Sequence, residues 1–153
     1  MQKSIIKTIE ANAVNIAEPE NYMAGIDVSY PSGNPNNIIM LYRWAQRKML
    51  LHNLGLYHQR YALTLNLSTT GLASVNEHVI DFKQGEALLI YPFQFHTYMV
   101  DMTTFSWLVI TFESNGIVPV ELMNRSVPMS DACYFLANQM LNAYLVENLE
   151  ENQ

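Results

Sequence analysis

The apolar and polar positions of this chain fall into a helical regime, an alternating regime and a second helical regime. From Ser4 to Ala17 the residues Ile5, Ile6, Ile9, Ala13 and Ile16 recur at helical intervals until Glu18-Pro19 ends the run, which predicts a short helix or arm. Tyr30 to Asn37 is dense in turn formers and reads as a loop. From Ile38 to Leu51 the apolar set Ile38, Leu41, Tyr42, Ala45 and Met49 recurs at three and four, which predicts a helix, with a strand as the alternative.

After Gly55 the pattern alternates. Tyr61, Leu63, Leu65 and Leu67 face one way, and Ala62, Thr64, Asn66 and Ser68 the other, as in a strand. Leu72 to Val75 and Val79 to Phe82 flank a polar Asn76-Glu77-His78 tip, which predicts a hairpin turning at Asn76-Glu77. Lys83-Gln84-Gly85 is the next turn, and Glu86 to Tyr91 is an apolar strand stopped by Pro92. Gln94 to Val100 and Phe105 to Phe112 complete the series. Short strands separated by turn signals at this spacing imply a mainly β sandwich or barrel.

Ser130 or Asp131 then caps a helix running to about Asn148. Its apolar residues fill more than one stripe: Phe135, Leu136, Met140, Ala143 and Tyr144 on one side, with Tyr134, Leu141, Leu145 and Leu149 nearby. Such a helix has two faces to bury, one on the barrel and one on a second copy, so Leu141, Leu145 and Leu149 are the candidate dimerisation residues. The expected division is 1–57 as an N-terminal arm or helical segment leading into the barrel, 58–125 as the barrel core and 126–153 as a C-terminal dimerisation helix.

Composition narrows the functional classes. The 153 residues suit one domain, and 50% hydrophobic residues against 14% charged leave apolar surface for a partner to cover. The net charge is −6, and no Lys/Arg-rich stretch exists beyond Arg43, Arg47 and Lys48, so the basic footprint for phosphate-backbone binding is lacking and contact with DNA by this chain alone is not expected. Cys133 is the single cysteine, which rules out an internal disulfide and suggests a reducing compartment. The N-terminus has no secretory core and no run is long enough to span a membrane, so a cytoplasmic protein is expected. No glycine-rich phosphate loop is present.

The specific stretch is His58 to Phe112, about a third of the chain. Gly85-Glu86-Ala87-Leu88-Leu89-Ile90-Tyr91-Pro92-Phe93-Gln94-Phe95-His96 resembles the second cupin motif as found in AraC-type regulators: a Gly-acid pair after a turn, an apolar strand, Pro, and a His four residues on. His58-Gln59-Arg60-Tyr61-Ala62-Leu63, followed by Gly71 and a hairpin, looks like the first motif. The resemblance implies a cupin-like jelly-roll β-barrel with flanking N-terminal and C-terminal helices, acting as the ligand-binding and dimerisation half of a transcriptional regulator. It also implies a basic region of two helix-turn-helix units. The acidic Glu147 to Gln153 stands where the linker to that region would begin, so DNA contact is expected only through a C-terminal domain not in this chain.

Enzymatic cupins hold a metal through two His one residue apart, a carboxylate a few positions on, and a third His on a later strand. Here Arg60 stands where the second His would be, Tyr61 to Thr70 holds no carboxylate, and His96 is the remaining match. A guanidinium does not ligate metals, so neither a metal, another cofactor nor a catalytic set is expected. His52 and His78 read as surface residues, the latter at a hairpin tip. His58, Arg60, Tyr61, His96, Tyr98 and Trp107 are the candidate lining of a ligand site whose aromatic faces and directional donors suit a carbohydrate-like effector. The alternatives are a stand-alone cupin enzyme of isomerase or dioxygenase type and a ligand-free cupin filled by its own aromatic side chains.

Overall fold

The computed structural model describes residues 2–19, 38–45, 58–100, 103–114, 116 and 118–151, with side chains as far as residue 147 in the last helix. Helix α1 (Gln2–Ala13) opens the chain. Eight strands follow: β1 (Ile39–Trp44), β2 (Tyr61–Asn66), β3 (Gly71–Val75), β4 (His78–Phe82), β5 (Glu86–Ile90), β6 (His96–Met99), β7 (Ser106–Phe112) and β8 (Ser126–Pro128). Helix α2 (Asp131–Glu151) comes last.

The strands make two antiparallel sheets, a five-stranded one in the order β1-β7-β2-β5-β8 and a three-stranded one in the order β4-β3-β6. Ala62, Leu88 and Ile90 of the first pack against Ala73, Val75, Ile80 and Phe82 of the second, so the sheets lie face to face around an inner core. The outer face of the five-stranded sheet carries a second core, where Met40, Leu65, Leu67, Leu108 and Ile110 meet Ile9 and Ala13 of α1 and Ala137 and Leu141 of α2. This is why β2 is buried along both faces: its even positions point between the sheets and its odd ones beneath the helices. The result is a cupin-like, mainly β fold with a helix at each end, as expected from the motifs.

Two predicted features come out differently. Ile39–Trp44 is a strand paired with β7 in the register Leu41↔Val109, not a helix. Period three-and-four spacing and two-sided strand burial both place apolar residues at Leu41 and Tyr42, and pairing with β7 decided between them. The sheet also takes in β8, which pairs with β5 through Ala87↔Val127, so the barrel extends from β1 to β8 instead of 58–125. The predicted loop at Tyr30 to Asn37, and His52, Arg47 and Lys48, lie outside the described residues.

The turns match their expectations. Asn76 and Glu77 both have positive φ, 46° and 71°, the backbone of a tight hairpin whose twist suits its strands. His78 is exposed just beyond it. Ser130 caps α2, its Oγ accepting the Cys133 N–H at 3.3 Å. No helix among the described residues is long and apolar enough to cross a membrane.

Candidate functional site

The loop between β5 and β6 builds the site. The Phe93 N–H donates to the His58 carbonyl at 2.8 Å, the Tyr91 N–H to Gln94 Oε1 at 2.8 Å, and Gln94 Nε2 to Asn124 Oδ1 at 3.0 Å. Asn76 at the hairpin tip closes the other side: its N–H donates to the Phe95 carbonyl and its Oδ1 accepts the Phe95 N–H. Phe93 takes a φ of 65°, a left-handed conformation unusual for an aromatic residue, so this network holds a strained turn. Its consequence is positional. The strand entry at His58 and the strand start at His96 are brought together from opposite sheets.

The two imidazoles meet edge to face, with ring centroids 4.9 Å apart. Both are almost fully buried. His58 Nδ1 lies 2.6 Å from the Arg60 carbonyl and His96 Nδ1 lies 3.3 Å from the Gln94 carbonyl. A carbonyl only accepts, so each Nδ1 carries the proton and each Nε2 keeps its lone pair. Burial, reinforced by the neighbouring His58, pushes His96 down to about 4, and burial likewise pulls His58 below the ordinary imidazole value. Both rings are neutral at physiological pH.

From His96 a row of rings continues inward. Tyr98 lies 5.5 Å from His96 and 4.7 Å from Trp107, and Phe82 and Phe105 pack against Trp107 at 6.5 and 5.1 Å. The Tyr98 hydroxyl sits 3.3 Å from Thr64 Oγ1, and burial lifts its pKa to about 12. Trp107 is 3% exposed, and its Nε1–H is buried with no hydrogen-bond partner.

Four of the six expected lining residues, His58, His96, Tyr98 and Trp107, therefore converge between the sheets. Arg60 is also inside, fully buried, but its Nε and Nη2 donate to Thr111 Oγ1 and the Thr111 carbonyl, both at 3.2 Å, and Nη1 faces Glu113 at 3.8 Å. It fastens the entry of β2 to β7. Tyr61 is a correction: it stacks on Phe112 at 5.3 Å and meets Tyr91 at 5.4 Å. Side chains alternate along a strand, and with Ala62 inward Tyr61 is carried to the opposite face. Thr64 and Phe82 belong to the site and were missed, although the inward alternation of β2 singles out Thr64.

The dimerisation residues need the same correction. Leu141 is fully buried in its own chain and Leu145 packs on the same core, while the side chain of Leu149 lies outside the described residues. The apolar side chains that α2 presents outward are Phe135, Leu136, Met140 and Val146.

As metal donors the site offers two imidazoles. Among the described residues no group of three His, Cys, Asp or Glu side chains is placed to hold a metal ion.

Two face-to-face antiparallel sheets with buried histidines between them and helices on the outer face fit a cupin-like β fold. Comparison with known proteins finds no matching family model and no matching curated sequence. The solved structures it is similar to include cupin domains. One is a cupin-2 domain from Rhodospirillum rubrum, with 13% identity, 84% of this chain and 83% of that chain covered, and a TM-score of 0.39. Another is a cupin protein from Bacteroides fragilis, with 15% identity, 54% and 69% covered, and a TM-score of 0.36. A mutant oxalate decarboxylase from Bacillus subtilis aligns at 7% identity and a TM-score of 0.36 over 42% of this chain, which spans only 18% of the decarboxylase.

Proposed function

We propose that this chain is the effector-sensing and dimerisation domain of an AraC-type transcriptional regulator, binding a carbohydrate-like small molecule inside the barrel and catalysing no reaction on it. The observation that carries the reading is the convergence of His58, His96, Tyr98 and Trp107 from both sheets into one buried row of neutral polar groups and rings. A barrel filled only for packing is best served by apolar side chains, since each buried polar group costs free energy unless it is bonded. Here two imidazoles, a phenol and an indole follow one another in contact. The Gly85 to His96 stretch supports the same reading by its likeness to the motif of such regulators. DNA contact, in this reading, belongs to a region outside these 153 residues, because the chain carries a net charge of −6.

Homodimerisation is assigned to the outward stripe of α2. Phe135, Leu136 and Val146 are each more than half exposed, and no charged residue occurs from Ala132 to Val146. Two acidic chains meet with least repulsion across such a face.

The test is a thermal melt of the whole chain against a panel of neutral monosaccharides, since a ligand that binds only the folded state raises the melting temperature in a saturable way. A concentration-dependent rise with any member supports sensing. A flat response across the panel removes it and favours the cupin filled by its own rings, to which the close packing of Phe82, Tyr98, Phe105 and Trp107 already inclines.

A further inference from the structure

Trp107 was expected to offer a flat face to a sugar, but the geometry leaves it a different role. Tyr98, Phe105 and Phe82 crowd its ring at centroid distances of 4.7, 5.1 and 6.5 Å, so no open face remains for stacking. What the indole still has is its Nε1–H, one of the few buried side-chain polar atoms among the described residues that make no hydrogen bond. Leaving a buried donor without an acceptor is costly, and a bound molecule that accepts from it removes that cost.

We propose that Trp107 Nε1–H is the specificity-determining donor of the barrel, given to an oxygen acceptor of a small, uncharged, hydroxyl-bearing ligand whose own hydroxyls donate to Nε2 of His96 and His58. This rests on the sensing role proposed above and deepens it by fixing the ligand's charge and its polarity at each end. The histidines are neutral acceptors, because each Nδ1–H is held by a carbonyl. His96 and Trp107 both pack on Tyr98, their ring centroids 5.5 and 4.7 Å from its own. A cation is disfavoured, since burial and the Arg60 charge already keep His58 from taking a proton. An anion finds its natural partner engaged: Arg60 bonds Thr111 through two of its nitrogens and faces Glu113 with the third. A ring with hydroxyl donors at one end and an oxygen acceptor at the other fits what remains.

The chain has two tryptophans, Trp44 and Trp107, so the indole region of a 1H–15N spectrum of the intact protein holds two cross-peaks, assigned with a Trp44→Phe variant. The probes are neutral aldohexoses and aldopentoses, each beside the uronic acid of the same sugar, with the melting temperature read in parallel. The expected result is a neutral sugar that raises the melting temperature and moves the Trp107 indole proton downfield, with its uronic acid inert. Trp107→Phe should then weaken that sugar about tenfold, the loss of one hydrogen bond. A melting shift without movement of the Trp107 cross-peak overturns the donor role and leaves the sensor reading intact. A uronic acid that binds in place of its neutral sugar overturns the assignment of charge. If no probe shifts either signal, the sensor reading falls, and this inference with it.

Discussion

His58 and His96 stand 38 residues apart in the chain, yet their rings meet edge to face at 4.9 Å because a backbone hydrogen bond from Phe93 to the His58 carbonyl draws the two strand starts together. Each ring has its Nδ1 beside a backbone carbonyl, which leaves its Nε2 unprotonated. The properties of the barrel interior follow from this pair, and so do its responses to pH and mutation.

The pair should resist protonation. His96 lies near 4 in the folded chain against about 6.5 unfolded, so between those values the unfolded chain binds more protons and stability falls as pH falls. The contribution is complete above about pH 6.5 and is lost progressively toward pH 4. NMR titration should show the His96 ring unchanged from pH 8 to about 5. In His96→Gln the fall in melting temperature between pH 6.5 and 4 should be shallower than in the parent, and equal slopes would refute the assignment.

Arg60 is expected to act through stability. Its guanidinium forms two bonds to Thr111 in a fixed fork that an ammonium cannot reproduce, so Arg60→Lys should cost about 2–4 kcal/mol in urea unfolding. A variant as stable as the parent would mean the clamp on β7 is dispensable.

Gly85 should tolerate no side chain. Its φ is 83°, and a Cβ there would lie 3.0 Å from the Tyr134 hydroxyl of α2. Gly85→Ala is expected to destabilise by about 1–3 kcal/mol, because backbone strain at positive φ adds to a small forced shift of the Tyr134 side chain. Denaturant midpoints at constant m-value measure it.

The two faces of α2 should respond differently to charge. Leu136→Glu with Met140→Glu places carboxylates on the outward stripe and should yield a folded monomer by light scattering. Leu141→Glu buries a charge in the monomer core and should unfold the chain instead. An unchanged mass for the double variant would take this stripe out of the interface.

Metal analysis of protein purified without chelator should find less than one equivalent of any transition metal. Two imidazoles beside a guanidinium make a weak ligand set compared with three or four neutral or anionic donors. Stoichiometric, tightly held metal would move the enzyme alternative ahead.

Much of this fold was legible because local chemistry and global structure agree there. The positive φ at Asn76-Glu77 and Gly85, the stop at Pro92 and the Ser130 cap are properties of short segments, and the strands between them needed no distant information. Where a segment is buried on both sides the pattern loses its direction. Ile39–Trp44 carries apolar residues toward both the inner core and the helices, so its spacing mimics a helix. In α2 the sequence showed two apolar stripes and offered no means of telling which one faced inward.

By itself the sequence determined the mainly β architecture, the order of its turns, the terminal helices and four of the residues that meet in the barrel, because period, turn chemistry and a motif are local. The tertiary structure decided what depends on neighbours far along the chain. It set Tyr61 outward and Thr64 inward, gave Arg60 to Thr111, turned Leu141 to the core and Leu136 to the surface, and left the Trp107 N–H without a partner. Burial and hydrogen-bond partnership are relations between residues, and only the packed sheets and helices establish them.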